Sequence, residues 1–393
     1  MHTLLSPRSL HDKLKEFYQF FPEHVEQGIR QSAERLIHEA LTEEIDILVS
    51  AGRYERNESR RAYRNGHYER HLASQYGLLR VKVPRIRAGK VTFQTLARYR
   101  RYSGEIAEAV RGLFIAGVST RKLGPTLERL LGMRISPQTV SRIASELDNE
   151  VRIFHSRALG DDYQYLFLDG IVQSIQVVGG TIKGPILVAY GIRHDGTREI
   201  IGFMKVARES KAAWESFLED LFRRGLTGER LKLIVADGCP GLWSALERVY
   251  PRVKRQLCWA HKMRNIRDKL PRKAHDTCLK EAKRIYLAPS RKKATEIYFQ
   301  WTKKWRRRYP RAVKCLSTDI DRLLVHFSFP IRQRTTLRTT NPIERLFVEV
   351  RRRTKIIGSF TNSESVNRIT YGVFWIINCH WQGKRLRQFT QNY

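Results

Sequence analysis

The spacing of apolar positions changes period several times along the chain. From residue 8 to 50 it is helical: Phe17, Phe20, Phe21, Val25 and Ile29 make one stripe, and Leu36, Ile37, Leu41, Ile45 and Leu48 a second. These predict helices that end at Gly52 and serve as support or dimerisation elements. Over 53–93 the period falls to two. Leu79, Val81 and Val83 alternate with Arg80, Lys82 and Arg85, the pattern of a half-buried strand with one basic face. Asn65-Gly66 and Gly89 supply turn signals. Helical spacing returns over 105–116 and 120–131, where Leu123, Leu127, Leu130 and Leu131 share one side. After a turn at 132–135, Ser136-Pro137 opens a third helix as cap and first turn, with Val140, Ile143 and Leu147 inward. Gln138, Thr139, Ser141, Arg142 and Ser145 face outward and suit base edges and phosphates, so 104–148 reads as a helix-turn-helix.

Three β-rich runs follow, 163–178, 185–193 and 199–206, with turns at Gly179-Gly180 and His194-Asp195-Gly196. A helix around Trp214, Phe217, Leu218, Leu221 and Phe222, a strand at 231–236, a helix at 241–249 and a strand at 253–257 complete the region. That order is the order of a ribonuclease-H-like sheet, in which the first and fourth strands are neighbours. Both of those strands stop on an acid, Asp169 in YLFLDG and Asp237 in LKLIVADG, and each acid precedes a glycine read as a sharp turn. A carboxylate at the end of a buried strand is costly unless it is solvated, paired or bound to a cation.

Residues 258–340 abandon the sheet pattern and read as a basic helical insertion. Trp301 and Trp305 sit one turn apart among Lys303, Lys304 and Arg306 to Arg308, an interleaving that favours DNA contact. The next helix opens at Asn341-Pro342, buries Ile343, Leu346, Phe347 and Val350, and leaves Glu344 offset toward the two aspartates. Arg351, Arg352, Arg353 and Lys355 follow before Gly358, and 371–379 is a last apolar helix ahead of a basic tail.

Composition sharpens this picture. The 393 residues suffice for two to four domains, and 41% hydrophobic content excludes a disordered chain. Lys and Arg number 73 against 39 Asp and Glu, a net +34 that calls for a polyanion, best a nucleic acid. No apolar run approaches the ~18–20 residues of a membrane span. The N-terminus carries no apolar signal core, so no membrane or secretory route is expected. The five cysteines, 239, 258, 278, 315 and 379, are odd in number and fit a reducing cytoplasm.

Asp169, Asp237 and Glu344, from two strand ends and a helix, suit two Mg²⁺ ions ~3.5–4 Å apart on the attacking and leaving oxygens of a phosphodiester. Cys258 and His261 with His275 and Cys278 form C-x2-H-x13-H-x2-C, open to a zinc reading. The preferred alternative is a buried Cys258–His261 pair that braces the insertion against the active site.

The ordered set RNGHYER…GLLRVKVPRIRAG (64–89), STRKLGPTLERLLGMRISPQTVSRI (119–143), YLFLDGI (165–171), VADGCPGLWSAL (235–246), QLCWAHKMRN (256–265) and TTNPIERLFVEVRRRTKIIGSF (339–360) resembles bacterial insertion-sequence transposases of the IS256 family, in the Mutator-like group. The resemblance implies a DDE triad on Asp169, Asp237 and Glu344. It implies an α/β fold: an RNase H-like (retroviral-integrase-like) catalytic domain interrupted by an all-α insertion and preceded by N-terminal helical and helix-turn-helix DNA-binding domains. It also implies two Mg²⁺ per active site, for which Mn²⁺ substitutes, and cleavage and strand transfer at terminal inverted repeats. Cys258-x2-His261 matches the group's C-x2-H motif. Arg351, seven residues after Glu344, matches a basic position expected to meet phosphate. Pro342 and Arg345 depart from the smaller or uncharged residues expected around the Glu.

The boundaries expected are 1–52 (helical, dimerising), 53–103 (basic β-element), 104–150 (helix-turn-helix), 151–257 (catalytic, first part), 258–340 (insertion) and 341–393 (catalytic, second part). Double-stranded DNA, both transposon ends and target, would meet Arg64, Asn65, His67, Arg85, Arg87, Gln138, Thr139, Ser141, Arg142, Arg351, Arg352 and Lys355. A homodimer associated with the nucleoid is expected. The competing classes are a helix-turn-helix regulator, an RNase H-like nuclease without strand transfer and a structural nucleoid protein without end specificity.

Overall fold

The computed structural model describes residues 7–74, 76–87, 91–98, 104–118, 120–131, 135–177, 180–357 and 363–390. These fall into two compact units, Met1–Ala144 and Ser145–Tyr393.

In the first unit, the spacing over 8–50 produces one helix, α1 (Pro7–Val49). Its buried line is Leu41, Ile45 and Val49, whereas Leu36 and Leu48 of the predicted stripe are exposed. The line packs on Leu72, Leu79, Val81 and Val83 of a hairpin, β1 (Arg64–Ser74) and β2 (Gly77–Ile86). The alternation along β2 is thus a true one-sided strand. The turn, however, lies at Ser74–Gly77, and Asn65-Gly66 forms an irregularity inside β1 with Gly66 at φ +67. A glycine in the left-handed region serves a G1-type bulge and a type I′ hairpin turn alike, so the dipeptide alone does not separate them. Gly89 lies outside the described residues. A short α2 (Gln94–Arg98) follows.

Helices α3 (Gly104–Ile115), α4 (Thr120–Leu131) and α5 (Pro137–Ser145) come next. Ile106, Val110, Phe114, Leu123, Leu127, Ile135, Val140 and Ile143 are all buried. Ser136 caps α5, its Oγ accepting from Thr139 N at 3.2 Å. The side chains of Leu130 and Leu131, and the turn at 132–134, lie outside what is described. Leu147 is buried but belongs to the next helix, α6 (Leu147–Ser156).

The second unit is a five-stranded mixed sheet with helices on both faces. Its strands are β3 (Tyr163–Val177), β4 (Gly180–Arg193), β5 (Arg198–Lys205), β6 (Leu233–Ala236) and β7 (Lys254–Leu257), in the spatial order β5-β4-β3-β6-β7. Strands β3, β4 and β5 pair antiparallel, and β6 and β7 add in parallel beside β3. The parallel additions need crossovers, supplied by α7 (Lys211–Arg223) and α8 (Pro240–Val249). Both pack on one face, where Trp214, Phe217, Leu218, Leu242 and Leu246 meet Leu166, Leu168, Ile234 and Ala236. Gly196, at φ +81, makes the β4–β5 turn, with Asp195 Oδ1 accepting from Thr197 N.

After β7 come α9 (Trp259–Arg267), α10 (Lys280–Tyr286), α11 (Arg291–Trp305), α12 (Pro310–Ser317), α13 (Ile320–Leu323) and α14 (Ile331–Leu337). They enclose their own core, and Trp301 and Trp305 lie inside it. Trp301 Nε1 donates to the Cys278 carbonyl at 3.1 Å and Trp305 Nε1 to Glu281 at 2.8 Å. The indoles therefore face inward, against the expectation of DNA contact: helical spacing put them on the buried side and the lysines between them on the wet one. Helices α15 (Asn341–Ile357) and α16 (Ser363–Trp381) return to the sheet. Phe374 of α16 meets Phe203 on the face opposite α7 and α8.

Candidate active site

Strand periodicity decides where the acids point. Leu166, Leu168, Ile234 and Ala236 face α7 and α8, so Asp169 and Asp237, one residue on, face the other side. Leu168 pairs with Ala236 in the parallel register, which sets the two aspartates next to each other on neighbouring strands. Strand β6 stops there, but β3 does not: Asp169 pairs with Val188 and Gly170 with Leu187, and the strand runs on to Val177. The sharp turn expected at Gly170 is absent. Asp169 lies beside the point where its parallel neighbour ends, not at a strand end.

Asp169 is 3% exposed, and its Oδ1 accepts from Gly170 N at 2.9 Å. Burial, then the Asp237 charge and more weakly that of Glu344, push its carboxyl up to about 7, against hydrogen bonds from Thr340 and Gly170. Asp237 Oδ1 accepts from Cys239 N at 3.1 Å, and its carbonyl takes Trp243 Nε1 at 2.6 Å. Burial, with a contribution from Glu209, raises it to about 6. Among the described residues no Lys or Arg pairs with either aspartate, although the chain carries +34.

Helix α9 supplies the second wall. His261 Nε2 stands 4.0 Å from Asp169 Oδ1, and its Nδ1 is 3.4 Å from Thr340 Oγ1. Burial and the neighbouring Arg264 hold this imidazole toward its neutral form. Thr340, fully buried, donates its backbone N–H to Cys258 Sγ at 3.3 Å and lies 3.4 Å from it through Oγ1. Its carbonyl accepts from Ile343 and Glu344 N, which starts α15. Cys258 and His261 thus tie α9 to the Glu344 helix, whereas His275 Nε2 meets the Leu270 carbonyl and Cys278 is buried in the helical core.

Glu344 lines one cleft of about 320 Å³ with Asp169, His261, Arg264 and Arg351. Its carboxylate is paired with Arg264. Among the described residues no three His, Cys, Asp or Glu side chains meet at the spacing of one bound ion. The predicted triad is therefore gathered but not closed: two aspartates adjoin, and Glu344 is drawn aside by a guanidinium the sequence reading passed over. The signal existed, since Arg264 is one helical turn from His261 on α9. Two uncompensated carboxylates, Asp169 buried and Asp237 half-buried, beside a third fit a hard divalent cation, which takes oxygen ligands.

The remaining predicted contacts are scattered. Arg64 turns inward to Asp46 and the Ala51 carbonyl, closing the end of α1. Asn65, His67, Arg85 and Arg87 are exposed, with Arg85 stacked 4.8 Å over Tyr68. Gln138, Ser141 and Arg142 are exposed on α5 and Thr139 is half-buried. Arg351 and Arg352 are exposed on α15, and the Lys355 side chain lies outside the described set.

Residues 9–383 match the family model for "Transposase, Mutator family". The chain is 35% identical over 342 residues (87% of this chain, 85% of the relative) to the transposase for insertion sequence element ISRM5 of Rhizobium meliloti. It is 32% identical over 357 residues (90% and 91%) to that for IS406 of Burkholderia multivorans. It is 33% identical over 336 residues (85% of each) to that for IS256 in transposon Tn4001 of Staphylococcus aureus. A mixed α/β chain whose acids line up on adjacent strands, matched along nearly its whole length, belongs to the Mutator family of transposases.

Proposed function

We propose that the protein, as a homodimer, binds the terminal inverted repeats of an insertion sequence and catalyses metal-dependent DNA cleavage and strand transfer through Asp169, Asp237 and Glu344. The carrying observation is the pair of uncompensated aspartates, Asp169 buried on β3 and Asp237 half-buried just past β6, side by side in a chain of net +34. The strand order β5-β4-β3-β6-β7, three antiparallel then two parallel, supports an RNase H-like reading of the sheet. Asp169 and Asp237 would hold Mg²⁺ or Mn²⁺, which when bound activates the attacking oxygen and stabilises the leaving one. Arg264 and Arg351 line the same cleft and suit the phosphates of the cut strand. A phosphate that takes over Arg264 releases Glu344 toward the aspartates. Gln138, Ser141 and Arg142 on α5 suit groove contacts to the ends.

The test is Mg²⁺-dependent nicking of DNA carrying the inverted repeats that flank the reading frame. Asp169→Asn, Asp237→Asn and Glu344→Gln should each abolish nicking and strand transfer while retaining end binding. Full activity in any one variant removes that residue from the site, and end binding without nicking by the unaltered protein favours a regulator.

A further inference from the structure

Gly170 follows Asp169 without making a turn, and its φ lies outside the left-handed range occupied by Gly66 or Gly196. A Cβ there would lie 3.4 Å from both carboxylate oxygens of Glu209. Glu209 precedes α7, and its Oε1 accepts from Trp214 Nε1 at 3.0 Å. The Trp214 ring is fully buried in the core beneath α7, so the carboxylate is anchored to the rigid part of the sheet. Its charge reaches Asp237 and Cys239. Among the described residues no Lys or Arg pairs with Glu209, nor with Asp169 or Asp237, whereas Glu344 has Arg264. In a chain with 73 Lys and Arg against 39 acids, three carboxylates left without a cation are held together against their own repulsion. Mg²⁺ keeps several of its waters when protein carboxylates bind it, and those waters need acceptors.

We propose that Glu209 is a positioning residue of this active site, accepting hydrogen bonds from the waters of a divalent cation held by Asp169 and Asp237. The proposal rests on the metal-dependent reading above. Groups that act on a metal from outside its direct ligands typically change affinity about 10–100-fold when removed. Glu209→Gln retains the shape and an oxygen for Trp214 and removes only the charge. In the full-length protein without DNA, Mn²⁺ binding followed by electron paramagnetic resonance should weaken about tenfold or more. The Mg²⁺ concentration for half-maximal nicking should rise by a similar factor, with end binding unchanged. Trp214→Phe, which keeps the ring and loses the N–H, should shift both readouts the same way by less, and Glu209→Asp should recover part of the loss. Wild-type Mn²⁺ binding and Mg²⁺ dependence in Glu209→Gln, alongside lost Mn²⁺ binding in Asp169→Asn, overturns the role of Glu209 alone. Unchanged Mn²⁺ binding in Asp169→Asn as well overturns the metal site itself.

Discussion

Asp169→Asn should stabilise the metal-free protein while abolishing its chemistry. An acid of ordinary value 3.8 that stands at about 7 costs about 4 kcal/mol to keep ionised at pH 8, at about 1.4 kcal/mol per tenfold. That figure is an upper bound, because water entering the cleft relaxes part of it. The sign follows from the direction of the shift. A carboxyl raised in the folded state contributes full stability below 3.8 and loses it as the pH climbs through about 7. Asparagine has no charge to lose, so the gain over the unaltered protein is largest at pH 8, about 1–2 kcal/mol at pH 5, and absent below pH 4. For a unit of about 250 residues, each kcal/mol moves the melting temperature by about 2–4 °C. Thermal melts in EDTA at pH 8 and pH 5 should show up to about 8–16 °C of stabilisation at the first and clearly less at the second. Adding Mg²⁺ should raise the melting temperature of the unaltered protein and narrow the gap, since a ligand that binds only the folded state stabilises it. Equal melting in EDTA at pH 8, or a gain that ignores pH, would refute the claim that Asp169 sits under electrostatic strain awaiting a cation.

Arg264→Gln should change stability by under about 1 kcal/mol, because both partners of its ion pair are partly exposed; it should tighten Mn²⁺ binding without DNA by freeing Glu344, and weaker Mn²⁺ binding would count against Arg264 as the group that holds Glu344 aside. Trp301→Ala should cost about 3–5 kcal/mol of stability in a urea titration and leave the salt dependence of DNA binding unaltered; a changed salt slope would return that indole to the DNA surface. Arg142→Ala should weaken end binding and lower its salt slope by about one, and an unchanged slope would remove α5 from the interface. Gly225→Ala should fail to fold stably, because Gly225 stands at φ +112 with the Leu159 carbonyl oxygen 2.1 Å from any added Cβ; near-native melting would refute that reading of the loop.

Much of the second unit was legible from one-dimensional pattern, and the reason is burial. Strands covered on both faces are written as unbroken apolar runs, so β3 and β6 and the acids that close those runs stood out. Helix caps were local chemistry and came through equally well at Ser136. What did not come through depended on partners far along the chain. The β3 strand continues past Asp169 because β4 is there to pair with it, while β6 ends, and nothing in YLFLDG encodes the length of a neighbour. The Asn65-Gly66 signal could not say bulge or turn without the register of β2. Tryptophans among lysines looked like a nucleic-acid surface until the packing of α10 and α12 beside α11 put them inside.

The active site divides along the same line. Asp169 and Asp237 were readable because each interrupts an apolar run, and Glu344 because it stands offset from a helical stripe. Glu209, Arg264 and Thr340 carry no such mark: one precedes a helix cap, one is a basic residue among many, and one is a threonine at a helix start. Each acquires meaning only through a side chain between 5 and 82 positions away, Trp214, Glu344 and Cys258 with His261. Sequence pattern marks residues whose cost is local, such as a charge placed in an apolar strand. Residues that offset that cost from another element leave no local trace, and in this cleft they decide whether three carboxylates repel, wait on a guanidinium or close on a cation.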